Sequence, residues 1–135
     1  MDRIIDVSAG LVFRDGLLLL TQRHQNAHLA NLWEFPGGKR EPDETFEDCL
    51  VRELREELGI ESAVHECLHE VTHPYPGKTI HLKFFRCSLV EGEPKAIDCQ
   101  ALAWVTRDQL GDYPFPEADA GLIGHLQENH GLWSI

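Results

Sequence analysis

Acidic side chains are concentrated in one stretch of the sequence, residues 38–60. The eight carboxylates there are Glu41, Asp43, Glu44, Glu47, Asp48, Glu53, Glu56 and Glu57. Three of them, Glu53, Glu56 and Glu57, have the spacing i, i+3 and i+4, which brings side chains to one side of a helix. Clustered carboxylates with backbone carbonyls nearby are hard oxygen ligands, suited to Mg²⁺ or Mn²⁺. The stretch is therefore a candidate site for a divalent cation.

A solvated acidic helix face is the alternative interpretation of this stretch. Pairs such as Asp48–Arg52 and Arg52–Glu56, four residues apart, would ease the repulsion between like charges. Glu56 and Glu57, however, would lie near the C-terminal end of the helix, where the macrodipole disfavours anions. These carboxylates repel one another and also oppose the helix macrodipole, which suggests that a cation compensates their charge.

The same stretch predicts a loop that leads into a helix. Pro42 and Asp43 suit a turn, Thr45 followed by Asp48 resembles a capping box, and Gly59 is typical of a helix end. An apolar residue at every fourth position forms one stripe that would pack on the core. The stripe consists of Phe46, Leu50, Leu54 and Leu58.

Strands are predicted on both sides of this helix. Apolar runs at 4–13 and 17–21 flank Asp15-Gly16, a hairpin signal. Residues 22–31 are predicted as a loop and 74–77 as a turn. Further strands are expected at 32–35, 62–73, 79–90 and 101–105, and a last helix at about 117–129 with Leu122, Ile123 and Leu126 inward. This order predicts an α/β sandwich with a mixed β-sheet, in a single domain of residues 1–135.

Composition excludes several classes of partner. The net charge of -11 argues against binding a nucleic-acid polymer or an anionic membrane, and a polyphosphate ligand should arrive with a divalent cation. No apolar run approaches the length of a membrane span, and the N-terminus lacks the order of a signal peptide. The four cysteines have no C-x-x-C spacing, so we expect them to be reduced and the protein to be cytoplasmic.

Other catalytic patterns are weaker. His65, His69 and His73 are evenly spaced, but each step of four residues spans about 13 Å along a strand, which is too far for one metal. The sequence has no Ser-His-Asp order, Gly-rich phosphate loop or redox motif. Water activated by a metal is therefore a better candidate nucleophile than a side chain.

The acidic stretch resembles the Nudix box at every fixed position. The matching residues are Gly38, Glu44, Arg52-Glu53-Leu54, Glu56-Glu57 and Gly59-Ile60. The resemblance implies a Nudix-like α/β/α sandwich that hydrolyses a nucleoside diphosphate linked to another group. It also implies that the Gly38 carbonyl, Glu53, Glu56 and Glu57 hold the metal, that Arg52 orients the glutamates and that Glu44 supports the site.

Segments before the box resemble MutT-type pyrophosphohydrolases, which convert nucleoside triphosphates, notably 8-oxo-dGTP, to the monophosphate and pyrophosphate. They are Thr21-Gln22-Arg23, residues 27–31 and residues 33–39. This resemblance implies that the nucleotide is bound by Arg23, His28, Glu34, Phe35, Lys39 and Lys78, with Lys78 on a mobile loop. Surface charge without a ligand remains the alternative for Arg23 and Lys78.

Two aspartates depart from the MutT pattern. Asp98 replaces a glutamate that can bind metal or act as a base, so it is expected as a further metal ligand whose shorter side chain leaves its role open. Asp119 replaces the asparagine that reads the oxidised purine. An aspartate there is similar to the CTP pyrophosphohydrolase branch, as are residues 41–44 and 100–102.

The resemblance therefore implies a Mg²⁺-dependent nucleoside triphosphate pyrophosphohydrolase, with Mn²⁺ as the alternative metal, that removes 8-oxo-dGTP from the nucleotide pool. Glu53, Glu56, Arg52 and Glu44 are the expected catalytic residues. Hydrolysis of CTP or 5-hydroxy-CTP is the alternative activity. The sequence also leaves open a non-catalytic nucleotide sensor and a hydrolase of dinucleotides or nucleotide sugars. The expected partner is a small nucleotide, and the expected state is a monomer or small homo-oligomer.

Overall fold

A computed structural model describes residues 3–134. Its strands are Arg3–Arg14 (β1), Leu17–Gln22 (β2), Trp33–Glu34 (β3), Gly37–Lys39 (β4), Glu61–Tyr75 (β5), Lys78–Glu91 (β6) and Ala101–Val105 (β7). Its α-helices are Phe46–Leu58 (α1) and Ala120–Glu128 (α2), and short 3-10 helices occupy Arg107–Asp112, Glu117–Asp119 and His130–Ser134. The predicted α/β class is confirmed.

All seven strands join one mixed sheet. Its order is β3-β2-β1-β6-β5, with β4 paired to β1 and β7 paired to β2. Strands β1 and β6 are parallel, whereas the other pairs are antiparallel. One edge of β1 is shared, because β2 pairs with its C-terminal end and β4 pairs with Val7, Ser8 and Ala9. This sharing places the Gly37-Gly38 backbone directly beside β1.

The sheet lies between two apolar layers, because successive strand residues point to opposite faces. On one face, Val12 and Leu19 pack with the α1 residues Leu50, Leu54 and Leu58. On the other face, residues of the strands pack with α2. This second cluster includes Leu11, Phe13, Leu18, Leu20, Phe84, Leu122 and Leu126. The arrangement is the expected α/β/α sandwich.

Helix α1 begins and ends where the sequence predicts. The Thr45 side chain accepts a hydrogen bond of 3.0 Å from the backbone N–H of Asp48. Gly59 has a φ of 70°, a left-handed conformation that glycine adopts without strain, and its N–H donates to the Arg55 carbonyl. The apolar stripe is therefore held against the core between two fixed ends.

Two local predictions were wrong. Gly37–Lys39 forms β4, which hydrophobic patterning could not reveal because glycines have no side chains. Pro74 and Tyr75 belong to β5 rather than to a turn, and proline is tolerated there because β5 is an edge strand. The last helix begins at the predicted residue, as the 3-10 turn Glu117–Asp119, and continues as the α-helix Ala120–Glu128.

Neither helix in residues 3–134 is long and apolar enough to cross a membrane. The four cysteines are all free thiols. Cys49, Cys87 and Cys99 are buried in the core, whereas Cys67 is exposed on β5. Cys49 lies on the buried face of α1.

Candidate active site

The candidate metal site lies where β4 meets α1. A Cβ atom on Gly38 would overlap the carboxyl group of Glu53, so only glycine lets the helix side chain approach this backbone. The Gly38 carbonyl oxygen also lies 3.5 Å from the Cys49 Sγ. The structure thus brings the predicted carbonyl ligand and the predicted carboxylate ligand together.

Arg52 lies at the centre of the acidic cluster. Its Nε and Nη2 donate to the two oxygens of Glu44, at 2.7 and 2.8 Å. Its Nη1 donates to Glu53 and Glu56, at 2.9 and 3.1 Å, and Nη2 also donates to the Lys39 carbonyl. The expected Arg52–Glu56 pair is confirmed. Asp48 is not a partner of Arg52 among the ion pairs of residues 3–134.

Glu44 is held as an anion by this contact. The Arg52 guanidinium, assisted by the backbone N–H of Glu41, lowers the pKa of Glu44 to about 2. The bidentate geometry matches the planar fork of arginine to a carboxylate. Glu44 therefore stays ionised and keeps Arg52 oriented toward the helix carboxylates.

Glu57 is the most buried carboxylate of the cluster. Its side chain is 9% exposed, and its Oε2 has no hydrogen-bond partner. Burial raises its pKa to about 8, and the negative charges of Glu34 and Glu53 add to the effect. A buried carboxylate oxygen without a partner is unfavourable unless a cation compensates it. The donor set of Gly38, Glu53, Glu56 and Glu57 is oxygen-only, which fits Mg²⁺ or Mn²⁺.

The carboxylates do not form a complete metal-binding site in this arrangement. Across residues 3–134, no three His, Cys, Asp or Glu side chains are gathered closely enough to hold a metal ion. Glu53 is half-buried and Glu56 is exposed, and both are hydrogen-bonded to Arg52. A cation binding at these two groups would therefore compete with Arg52 for them.

Asp98 lies beside the C-terminal end of α1. Its backbone N–H donates to the Glu57 carbonyl at 3.2 Å, as does the N–H of Ile97 at 3.1 Å. Its side chain is 76% exposed and has an oxygen 3.5 Å from the His24 Nε2. The backbone of Asp98 therefore helps to fix the end of the helix, whereas its carboxylate faces solvent.

A cavity of about 350 Å³ adjoins this cluster. All seven predicted substrate residues line it, together with Gly38: Arg23, His28, Glu34, Phe35, Lys39, Lys78 and Asp119. A larger and more open cavity near Arg14 and Trp133 contains none of the predicted site residues. The pocket and the acidic helix meet at Gly38.

The pocket combines the Arg23–Glu34 ion pair, which is half-buried, with the buried acid Asp119. Arg23 donates to the Glu34 carboxylate at 2.9 Å and to the His28 carbonyl at 2.6 Å. Burial raises the pKa of Glu34, and Arg23 partly offsets that rise. Asp119 is 6% exposed, and burial, followed by the charge of Glu34, raises its pKa to about 7.

Apart from Phe35, the apolar pocket walls were missed by the sequence reasoning. Phe35 stacks on Phe115 with ring centroids 5.4 Å apart and meets Phe84 edge-on. Tyr75, at the β5–β6 hairpin, contacts His28 edge-to-face at 5.7 Å. Further wall residues are Ile80, Leu82 and Pro116. Alternation along β6 could have indicated that Ile80, Leu82 and Phe84 share one face.

Comparison with known proteins places this geometry in a family. The family model described as NUDIX domain matches residues 8–125. CTP pyrophosphohydrolase of Escherichia coli is 42% identical over 121 residues, 90% of each chain. The 8-oxo-dGTP diphosphatase of Haemophilus influenzae is 38% identical over 132 residues, 96% of this chain and 97% of that protein.

A solved structure agrees with the sequence comparisons. The solution structure of the E. coli ORF135 protein has a TM-score of 0.79 and 41% identity, covering 91% of this chain and 88% of that one. The match of the family model extends from β1, through the Gly38 backbone and the acidic helix, into α2. It therefore includes the whole acidic cluster and every lining residue of the adjoining pocket except Val7, and the chain belongs to the NUDIX family.

Proposed function

We propose that this protein is a Mg²⁺-dependent nucleoside triphosphate pyrophosphohydrolase that acts on 8-oxo-dGTP and releases the monophosphate and pyrophosphate. The observation that carries the proposal is the junction at Gly38, where a pocket of about 350 Å³ adjoins the cluster of carboxylates on α1. The names of relatives such as the 8-oxo-dGTP diphosphatase of H. influenzae support the same activity. The enzyme would act in the cytoplasm and, by removing oxidised nucleotides from the pool, protect DNA.

The cation would be held by the Gly38 carbonyl, Glu53, Glu56 and Glu57, with Asp98 as an additional ligand and Mn²⁺ as the alternative metal. When bound, it would neutralise charge on the phosphates and lower the pKa of the attacking water. Glu53 and Glu56 are the proposed catalytic carboxylates. Arg52 orients them, because its guanidinium contacts both side chains and is itself held by Glu44.

The phosphate chain would be bound by the pocket's basic side chains. Arg23, Lys39 and Lys78 line the cavity, and Lys39 directly follows Gly38. Their positive charges matter because the chain as a whole carries -11. A triphosphate entering this site would therefore be attracted locally by these residues and by its accompanying cation.

The base would be read by Asp119 and stacked near Phe35. Oxidised guanine presents an N7–H donor beside the O6 acceptor, so one side chain that contacts both must accept and donate. An aspartate can donate only in its neutral form. With a pKa of about 7, Asp119 is neutral in a large fraction of molecules near neutral pH. This supports 8-oxo-dGTP as the first substrate.

Hydrolysis of CTP or 5-hydroxy-CTP is the second candidate. The ionised form of Asp119 is an acceptor, which suits the N4 amino donor of cytosine. The CTP pyrophosphohydrolase of E. coli, at 42% identity, supports this alternative. A pure nucleotide sensor has less use for a complete acidic cluster that includes a buried carboxylate oxygen without a partner.

Incubation of the protein with a nucleotide panel and Mg²⁺, followed by separation of the products, tests the proposal. The panel contains 8-oxo-dGTP, dGTP, CTP, 5-hydroxy-CTP, a dinucleotide and a nucleotide sugar. We expect monophosphate and pyrophosphate from 8-oxo-dGTP at the highest kcat/KM. Binding without turnover would favour the sensor, and preferential cleavage of the dinucleotide or sugar would contradict the proposal. Size-exclusion chromatography with light scattering tests the expected monomer or small homo-oligomer.

A further inference from the structure

Arg40 ties the loop before α1 to the sheet. Its Nη1 donates to the Glu44 carbonyl at 2.9 Å and to the Glu41 carbonyl at 3.4 Å. Its Nη2 and Nε donate to Oδ2 of Asp6 on β1, at 2.9 and 3.3 Å. The backbone N–H of Arg40 donates to the Asp6 carbonyl at 2.8 Å. One guanidinium therefore joins two backbone carbonyls of the loop to β1.

Asp6 is itself held on its other side. Its Oδ1 lies 3.2 Å from His81 Nδ1, and His81 Nε2 lies 2.6 Å from a Glu70 oxygen. The His81 ring also meets Phe46, the first residue of α1, edge-to-face at 5.7 Å. Hydrogen bonding to Arg40, followed by that to His81, lowers the pKa of Asp6. Asp6 is thus fixed as an anion between β6 and the loop.

We propose that Arg40 and Asp6 are positioning residues for the Nudix-box glutamates, which they align through Glu44. This inference rests on the proposed function. Neither residue lies among the matching positions of the box, so the family resemblance gives them no role in the site.

Glu44 is the single residue that links Arg40 to Arg52. Arg40 holds the backbone carbonyl of Glu44, and Arg52 holds its carboxylate. Arg52 then contacts Glu53 and Glu56. If the loop shifts, the Glu44 carboxylate shifts with it, and Arg52 loses the partner that keeps its guanidinium over the metal ligands.

An ordinary surface ion pair is the competing explanation. Arg14–Glu93 is such a pair, with Glu93 68% exposed and a nitrogen–oxygen distance of 2.7 Å. Asp6 and Arg40 are only 26% and 27% exposed, and Arg40 also binds two carbonyls of the loop. The difference makes Glu93→Ala a matched control for loss of an arginine–carboxylate pair away from the site.

The experiment compares Arg40→Ala, Arg40→Lys, Asp6→Ala, the Asp6→Ala/Arg40→Ala double variant and Glu93→Ala with the wild type. We expect kcat for 8-oxo-dGTP to fall about tenfold in each Arg40 and Asp6 variant with KM nearly unchanged, because misplaced groups lower catalysis. The double variant should be no worse than the single variants, since both changes break one link. Lysine should not rescue, because one ammonium cannot hold Asp6 and both carbonyls in the same planar geometry.

Two measurements without nucleotide separate this proposal from the proposed function. Binding of Mn²⁺ should weaken in the Arg40 and Asp6 variants, and hydrogen exchange should accelerate in the amides of residues 40, 41 and 43–45. Glu93→Ala should change neither measurement. If the wild type hydrolyses no triphosphate, the proposed function fails while these two readouts still test the link. Unchanged Mn²⁺ binding and unchanged kcat in folded Arg40→Ala, with only a lower melting temperature, would overturn the inference.

Discussion

Two nitrogens of Arg52 donate hydrogen bonds to the Glu44 carboxylate, at 2.7 and 2.8 Å. This contact joins the loop to α1 at the middle of the acidic cluster. The same guanidinium contacts Glu53 and Glu56. It supplies the only cationic side chain bonded to these two carboxylates within residues 3–134. Its orientation therefore decides how they face any bound cation.

The Arg52–Glu44 contact predicts a pH-dependent contribution to stability. Because the pKa of Glu44 is lowered from 4.5 to about 2, its stabilising contact is fully present above about pH 4.5. The contribution is lost as pH falls through about 2. Urea unfolding of the wild type and Glu44→Gln should show the variant less stable at neutral pH, with the difference shrinking on acidification. A difference that does not depend on pH would contradict this account.

Glu57 should have the opposite effect in the metal-free protein. Its raised pKa, about 8, means that folding favours the neutral acid, so stability is lost as pH rises from about 4.5 to about 8. Glu57→Gln should remove that loss and stabilise the metal-free protein at about pH 8 by on the order of 3 kcal/mol. The measurement is chemical unfolding with chelator across this range. Equal pH profiles for the wild type and Glu57→Gln would show that this group is not responsible.

The products should be the monophosphate and pyrophosphate. The acidic cluster is proposed to hold a metal that activates water, so a single displacement by water is expected. Hydrolysis in ¹⁸O-labelled water should place the label in one product only. Accumulation of a nucleoside diphosphate during turnover would show that orthophosphate leaves first.

The base preference should depend on pH through Asp119. If the neutral acid reads 8-oxo-guanine, kcat/KM for 8-oxo-dGTP should fall as pH rises through about 7. Asp119→Asn should remove this fall, because an amide donates at every pH. The profile is measured over roughly pH 6 to 9, which brackets a carboxylic acid raised by burial, with dGTP, CTP and 5-hydroxy-CTP as comparison substrates. Equal preference in the wild type and Asp119→Ala would show that this residue does not read the base.

Much of the architecture was predictable because side-chain patterns encode it. The ends of α1 follow from Thr45 and Gly59, and its packing follows from the leucine stripe. Burial of both faces of the sheet agrees with the continuous apolar runs at 4–13 and 17–21. Strand β4 was not predictable in this way, because the close approach of Gly37 and Gly38 to β1 is a backbone relationship.

The site was predictable to a different extent. The resemblance to MutT-type enzymes predicted the seven substrate-binding residues, and in the structure all seven line one cavity. The Asp6–Arg40 contact joins residues far apart in sequence, so local spacing carried no signal for it. Arg52 was expected to pair with Asp48, but the loop offers it the Glu44 carboxylate in a bidentate geometry that a neighbouring helix residue does not provide.

Turnover by single glutamate-to-glutamine variants tests most directly whether the acidic helix carries catalysis. Glu53→Gln, Glu56→Gln and Glu57→Gln each keep the side-chain size and remove one charge. With 8-oxo-dGTP and Mg²⁺, each should lower kcat at least about a hundredfold, roughly 2.7 kcal/mol of barrier, while circular dichroism shows an intact fold. Wild-type kcat in a folded Glu57→Gln variant would contradict the account.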